Sequence, residues 1–158
     1  MHGPFDSRHP LVGLVDEVAR LNGRLKSTFA PSRQGVNLGE SEIMVLNAVV
    51  EAEKAPTVAQ IGRSLGHPRQ IIQRAANSLK SAGLIETAAN PDHKRAQLMK
   101  PTEKGIALKR EADAIADGIA GELCHAMDLE GVRDATRALR TVRKELEAHL
   151  RVLERKGN

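Results

Sequence analysis

The sequence predicts a mainly α-helical fold with a small β-wing, in which a winged helix-turn-helix core is joined to a helical dimerisation layer. Three observations lead to this prediction. The chain has 158 residues and only two aromatic side chains, so its core must be aliphatic and rich in alanine, which favours helices over a β-sandwich. Residues 57–85 carry the signals of two helices joined by a short turn, and a basic hairpin follows them directly.

Length and composition restrict the class of protein. The chain is long enough for one domain with a core, and a hydrophobic content of 41% excludes a disordered chain on composition. A single cysteine excludes an internal disulfide framework. The N-terminus lacks the apolar run of a secretory signal, and no stretch approaches the roughly 20 apolar residues of a membrane span. We therefore expect a cytoplasmic protein without a membrane partner.

The segment TVAQIGRSLGHPRQIIQRAANSLKSAGLI, residues 57–85, predicts the helix-turn-helix. Thr57 and Gln60 form a capping box, in which each side chain bonds a backbone amide of the other residue. Gly66 can take the left-handed conformation that ends a helix, and Pro68 fits the first position of the next one. Two helices separated by a turn of about three residues are typical of this motif.

The second of these helices, at about residues 68–82, has two distinct faces. Its apolar residues, expected to contact the core, are Ile72, Ala75, Ala76 and Leu79. Its long polar residues are Arg69, Gln70, Gln73, Arg74 and Asn77. Arginine suits the guanine edge of DNA, and asparagine or glutamine suits the adenine edge. An ordinary solvated helix face is the alternative, but no acid lies between Arg63 and Glu86, which favours a DNA-reading face.

A basic hairpin is predicted after the recognition helix. Residues 84–88 and 96–100 have the pattern of short strands, with the turn formers Asn90, Pro91 and Asp92 between them. Lys94 and Arg95 lie just past the tip. A hairpin in this position is the wing of a winged helix, and its arginine can enter the neighbouring minor groove of the DNA.

The distribution of charge agrees with this assignment. The net charge of the whole chain is +4. Residues 57–105 contain eight basic and three acidic side chains, so this segment alone accounts for the positive charge of the chain. A localised positive patch attracts phosphates and makes binding dependent on salt.

Helices are also predicted on both sides of the winged core. An apolar stripe at helical spacing comprises Leu11, Leu14, Val15, Val18, Leu21 and Leu25. Residues 31–37 are predicted to be a loop, and a second helix is expected at about residues 39–53. Thr102 caps a long helix, and a last helix begins near Leu129. Its heptad seam, which His149 interrupts, comprises Val132, Ala135, Leu139, Val142 and Leu146.

These patterns divide the single predicted domain into three parts. Residues 1–9 are expected to form a flexible tail, residues 10–30 and 103–157 the dimerisation region, and residues 38–102 the winged helix-turn-helix. The apolar stripe of the last helix is too long for a helix that packs on one small domain. A monomeric helical bundle remains the alternative to a homodimer. A dimer would place two recognition helices about one DNA turn apart, as a pseudo-palindromic operator requires.

The order of these elements and several motifs resemble the MarR family of bacterial transcriptional regulators. The segment LGESEIMVL is similar to the opening of that family's second helix, with Gly39 where Thr or Ser is usual. The segment NPDHKRAQLMKPTEKG looks like its wing and the motif that follows. The resemblance extends over about residues 11–156. It implies a homodimer that represses, or occasionally activates, nearby genes and is released by a small, often aromatic or anionic effector, or by cysteine oxidation.

The wing departs from the family pattern at two positions. The family usually has an acid two residues before the wing arginine, and the resemblance implies that this acid orients the arginine. With Arg95 as the wing arginine, that position holds His93, whereas Asp92 lies one residue early and can substitute. Pro101 stands where Leu is usual and removes one backbone donor at the end of the strand. Asp92 and His93 are therefore the candidates for orienting the wing.

Other motifs favour structural roles. Residues 62–66 match the G-x-S-x-G nucleophile motif, but they fall within a predicted helix and its cap, whereas that motif needs a strand, a sharp turn and a helix. Cys124, His125 and Asp128 lie close together, yet a single cysteine in an alanine-rich helix is usually a packing residue. His149 is expected to be a polar position in the seam. No cofactor or metal is predicted, and the spacing of a zinc site is absent.

The sequence therefore predicts a homodimeric regulator that binds double-stranded DNA and is not an enzyme. Arg69, Gln70, Gln73, Arg74 and Asn77 would contact the major groove, and Lys94 and Arg95 would contact the minor groove. A small-molecule effector could bind in a crevice between the dimerisation helices and the winged core, with effector-binding residues that remain unknown. The alternative is a winged helix used for protein–protein assembly without specific DNA recognition.

Overall fold

The fold consists of α-helices and a two-stranded antiparallel sheet within residues 9–156, which the computed structural model describes. In chain order, the elements are α1 Pro10–Thr28, α2 Glu40–Val50, α3 Val58–Leu65, α4 Arg69–Ser81, β1 Ile85–Ala88, β2 Leu98–Pro101, α5 Glu103–Leu123 and α6 Leu129–Lys156. The predicted tail, apart from residue 9, lies outside the described residues. The predicted class, mainly α with a small β-wing, is confirmed.

The hydrophobic core lies between α2, α3, α4 and the sheet. Each element contributes side chains that are at most 5% exposed, and they come from one face of each helix. The members of this cluster are Val45, Leu46, Val49, Ile61, Ile72, Ala75, Ala76, Leu79, Leu84, Ile85 and Met99. Burial at helical spacing along α4 fixes which face of this helix points outward.

The helix-turn-helix forms as its sequence signals predict. The Gln60 amide donates to Thr57 Oγ1 at 3.3 Å, and the Thr57 amide donates to Gln60 Oε1 at 2.9 Å. Gly66 ends α3 with φ of 67°, in the left-handed region that favours glycine. Pro68 precedes α4 as its N-cap and is not its first residue, so the second helix begins one residue later than expected.

The wing is a short hairpin tied to the start of α3. In the antiparallel ladder, Ile85 pairs with Pro101 and Thr87 with Met99. The Met99 amide also donates to the Pro56 carbonyl at 2.8 Å, which joins β2 to the segment before α3. The second strand begins at residue 98 and not at 96, because the Ala96 amide donates to the His93 carbonyl at 3.1 Å and so belongs to the wing turn.

Two other boundaries differ from the sequence prediction. A 3-10 helix, Ala30–Arg33, occupies part of the predicted loop, and Ser32 within it is buried and donates to the Phe29 carbonyl at 2.7 Å. Helix α2 ends at Val50, three residues early. The chain bends over residues 51–56, and this bend brings the Pro56 carbonyl to the wing.

The start of α5 is bonded directly to the end of the recognition helix. Thr102 accepts from the Gly105 amide at 3.1 Å and donates to the Gly83 carbonyl at 2.6 Å. Lys104 Nζ donates to the Ala82 carbonyl at 2.9 Å. A Cβ at Gly105 would lie 2.1 Å from the carbonyl oxygen of Leu84, so only glycine allows this close approach. The start of α5 is therefore held against the C-terminal end of α4 by two hydrogen bonds and by this close approach.

Helices α1 and α6 contain no buried residue among those described, and they expose much of their apolar stripes. Along α1, Val15 is 61% exposed, and along α6, Leu150 is 55% exposed. The other stripe residues that are exposed on these two helices include Leu11, Val18, Leu21, Leu25, Val132, Leu146 and Leu153. Within the part of the chain described, none of the helices combines the length and the apolar character needed to cross a membrane.

Candidate nucleic-acid interface

The outer face of α4 presents the five polar side chains that the sequence analysis selected. Arg69, Gln70, Gln73, Arg74 and Asn77 are all exposed, whereas the opposite face of the helix is buried in the core. No acidic side chain lies on α4, so the face offers hydrogen-bond donors, amide acceptors and positive charge. Such a surface matches the donor and acceptor groups of base edges and phosphates.

A groove of about 1060 Å³ runs between α4 and the wing. It brings together Arg69, Gln73 and Asn77 from α4 with Lys94 and Arg95 from the wing. Gln70 and Arg74 are not among the residues that line the groove and lie on the outer surface of α4. The structure therefore places the selected residues on one continuous side of the molecule, in two neighbouring groups.

Three further basic residues line the same groove, and the sequence alone did not predict them as part of this site. They are Lys54, Arg63 and Lys80. Lys80 Nζ also donates to Thr87 Oγ1 at 2.9 Å, a contact that connects α4 to strand β1. Arg63 and Lys80 belong to the basic segment, so its charge was a signal for them. No sequence signal marks Lys54, which reaches the groove only because the chain bends after α2.

The tip of the wing is an Asx turn. The Asp92 amide donates to Asn90 Oδ1 at 3.0 Å, and the His93 amide donates to the Asn90 carbonyl at 3.3 Å. All side chains from Pro91 to Arg95 are exposed. Among residues 9–156, no ion pair joins Arg95 to Asp92. Asp92 and His93 shape the turn, and their role in orienting Arg95 stays a prediction.

Glu42 holds the flank of α4 that faces away from the wing. The Gly39 amide donates to Glu42 Oε2 at 2.6 Å, and the Ser78 hydroxyl on α4 donates to the other carboxylate oxygen. The bond from Ser78, together with that from Gly39, lowers the pKa of Glu42 below its usual value against a smaller opposing effect of burial. This carboxylate therefore caps α2 and positions the recognition helix at the same time.

One large apolar side chain is exposed on α4 and was not selected from the sequence. Ile71 is 41% exposed and lies on the same flank as Ser78. Helical spacing assigns Ile72 to the buried face of α4, so the exposure of its neighbour Ile71 was not predicted. An apolar group on a DNA-reading helix can contact the methyl group of thymine.

A second, smaller cavity of about 220 Å³ lies where the 3-10 helix, α2 and α5 meet. Its walls are mainly aliphatic, and its polar residues include Arg33 and Lys109. The Lys109 ammonium is paired with Glu51 at 3.1 Å and with Asp113 at 2.8 Å. Burial lowers the pKa of Lys109, but the bonds to Asp113 and Glu51 outweigh this effect and raise it above its usual value. Lys109 therefore joins the end of α2 to α5 as a cation.

The remaining sequence motifs do not form a nucleophile or metal site within the described residues. Ser64 lies inside α3, with no strand before it, so the nucleophile motif is not formed. Cys124 and His125 lie in a 3-10 helix between α5 and α6. Within residues 9–156, no group of three potential ligands is arranged to hold a metal ion.

Comparisons with known proteins agree with this geometry. A model described as the MarR family matches residues 35–96, which include the helix-turn-helix and most of the wing. A protein of uncharacterised function from Mycobacterium tuberculosis is 32% identical over 131 residues, which are 80% of this chain and 89% of that protein.

Two solved structures have the same fold. A MarR-family transcriptional regulator from a Rhodococcus species has a TM-score of 0.73 at 18% identity, covering 87% of this chain and 96% of that one. CouR from Rhodococcus jostii, bound to p-coumaroyl-CoA, has a TM-score of 0.69 at 19% identity, covering 84% and 91% of the two chains. The family match therefore places residues 35–96 in the MarR family, and the two solved structures show that the described chain has the same winged-helix fold.

Proposed function

We propose that the protein is a homodimeric, sequence-specific DNA-binding transcriptional regulator that acts as a repressor. The observation that carries the proposal is the groove in which Arg69, Gln73 and Asn77 of α4 meet Lys94 and Arg95 of the wing. In this proposal α4 enters the major groove and the wing contacts the adjacent minor groove. The basic residues would displace counterions from the phosphates, and the polar face of α4 would distinguish base pairs.

The proposed dimer uses residues 10–30 and 103–157, and residues 38–102 form the reader. The exposed apolar stripes of α1 and α6 support it, since patches of this kind on a monomer usually mark an interaction surface. Because Thr102 and Lys104 bond the end of α4, the position of α5 in the dimer would set the spacing of the two readers. Two readers one helical turn apart would recognise a pseudo-palindrome.

A small-molecule effector would act on this spacing. The cavity beside Lys109 is a candidate site, because it lies between the winged core and the helix that leads into the dimerisation layer. CouR, which has this fold, binds p-coumaroyl-CoA. A ligand that binds better to a dimer with badly spaced readers would release the DNA. Titration of candidate ligands into the protein–DNA complex tests this step, and a fall in fluorescence anisotropy would support it.

The first test is the binding of the purified protein to the region upstream of its own gene. Fluorescence anisotropy would be measured at two salt concentrations with random-sequence competitor DNA. We expect tight binding that resists competitor and falls steeply with salt, because several Lys and Arg side chains would contact phosphates. Weak binding lost equally to every competitor would instead favour a winged helix used for protein–protein assembly.

Two arginine variants sharpen this test. Arg95→Ala should weaken binding and reduce the salt slope by about one, the contribution of a single phosphate contact. Arg140→Ala removes an exposed arginine from α6 and should leave the slope unchanged. Equal slopes for the two variants would show that the wing does not touch DNA.

The function proposed is DNA binding and not catalysis. We also expect a regulator of transcription to be located in the cytoplasm.

A further inference from the structure

Two of the exposed amides on α4 form a hydrogen-bonded pair. Gln73 Nε2 donates to Asn77 Oδ1 at 3.0 Å. The two residues are four positions apart, so their side chains meet on one face of the helix. Both line the groove between α4 and the wing. The pair therefore lies on the surface that would face the bases.

This hydrogen bond fixes which end of the Gln73 amide points toward Asn77. A primary amide carries one oxygen and two N–H groups, and the bond to Asn77 uses one of these N–H groups. If the N–H that points away from the oxygen makes this bond, the oxygen and the other N–H remain free and lie next to each other along one edge of the amide. An acceptor beside a donor is the complement of adenine, which presents its N6 amino donor and its N7 acceptor in the major groove.

We propose that Gln73 reads an adenine and that Asn77 is a positioning residue that holds the Gln73 amide in its reading orientation. The proposal rests on the DNA-binding function proposed above. If the amides of Gln73 and Asn77 acted independently, each would specify its own base pair. Because Asn77 is bonded to Gln73, the two residues together would specify a single base pair. Asn77 thus acts through Gln73, and its removal is expected to reduce discrimination at the base pair that Gln73 contacts.

Gln70 provides a matched control on the same helix. Its side chain is exposed, lies outside the groove and, among the described residues, has no hydrogen-bond partner. Gln70→Ala removes an amide of the same kind without affecting the pair. Alanine at positions 70, 73 or 77 should leave the fold intact, because these positions are exposed and alanine favours the helix.

The test is selection of binding sites from a random DNA library by the full chain and by its variants. Gln73→Ala should lose the preference for adenine at one base pair of each half-site, by about 5- to 150-fold, which is the discrimination of one bidentate contact. Asn77→Ala should reduce the preference at the same base pair by a smaller factor. Gln70→Ala should leave that preference unchanged.

Two further probes separate positioning from a merely structural role. Asn77→Asp keeps an acceptor for Gln73 Nε2, so it should retain the adenine preference even though its negative charge weakens binding to all sequences. Replacing the selected adenine by 7-deaza-adenine removes the N7 acceptor. This change should weaken binding of the wild-type protein and have no effect on the Gln73→Ala variant.

Three results would count against the proposal. If Asn77→Ala changed the preference at a different base pair, Asn77 would be an independent reader. If the base pair sensitive to Gln73→Ala did not contain adenine, the assignment of the base would be wrong. If the wild-type protein enriched no sequence at all, the DNA-binding function itself would fail and this proposal with it.

Discussion

The winged core and the helices α1 and α6 have the same kind of sequence pattern but differ in burial. In the core, apolar residues such as Ile72 and Leu79 at helical spacing are at most 1% exposed. In α1 and α6, most apolar residues at similar spacing are exposed, from 42% at Val18 to 61% at Val15, and the others are half-buried. Periodicity therefore defines an apolar face and does not identify what covers it. In the core, other elements of the same chain cover the apolar faces. On α1 and α6, we propose that a second copy of the chain covers them.

The largest effect is expected when charged residues replace apolar residues of the exposed stripe of α6. The double variant Leu146→Glu with Leu150→Glu should dissociate the proposed dimer, because burying two unpaired carboxylates in an apolar interface is costly. Loss of the second reader should lower affinity for a pseudo-palindromic site by roughly 100- to 10,000-fold. Light scattering would give the mass, and anisotropy the affinity.

The control for this prediction is Lys144→Glu, which changes the charge on the opposite face of α6. It should preserve both the dimer and most of the affinity. A double variant that kept the mass and affinity of the wild-type protein would show that the stripe is not the interface and would favour the monomeric bundle.

The next largest effect is expected at Gly105, where the start of α5 lies against Leu84 of the winged core. Gly105→Ala would place a Cβ 2.1 Å from the Leu84 carbonyl oxygen, so backbone must move. We expect a loss of about 3 kcal/mol in the free energy of unfolding, at the upper end of overpacking effects. Urea denaturation followed by circular dichroism measures it. Gly35→Ala, where no atom lies within 4 Å of the new Cβ, should be within about 0.5 kcal/mol of wild type.

The smallest effect concerns the carboxylate that positions the recognition helix. Glu42→Gln should lower the free energy of unfolding by about 1 kcal/mol at neutral pH, a magnitude typical of helix-capping contacts. The pKa of Glu42 is lowered in the folded state. Its contribution is therefore present above the unfolded pKa of roughly 4.3 and is lost as the pH falls through the folded value.

Denaturation of both proteins from neutral pH to about pH 2.5, well below the unfolded pKa, checks this linkage. The difference between wild type and Glu42→Gln should shrink as the pH falls. Glu111→Gln, which removes an exposed carboxylate on α5, should show little difference at any pH. A Glu42→Gln effect that stayed constant with pH would mean that packing, and not the charge, is responsible.

Much of the helix-turn-helix was predictable from local sequence, because capping and turn signals act over a few residues. The capping box at Thr57, the left-handed Gly66 and the two faces of α4 depend on contacts within one or two helical turns. Boundaries were less predictable where distant contacts intervene. Helix α2 stops at Val50, and the segment after it bonds to the wing through the Pro56 carbonyl. The second strand starts late because residue 96 bonds within the wing turn.

The sequence alone was enough to predict the class of fold, the order of the elements and the five polar residues on the outer face of α4. It could do so because caps, turns and helical periodicity are local. Three contacts became visible only in the folded chain: Lys54 reaches the groove, Glu42 accepts from Ser78, and Gly105 lies against Leu84. These contacts join residues that are far apart in the chain, and their geometry depends on how whole elements pack.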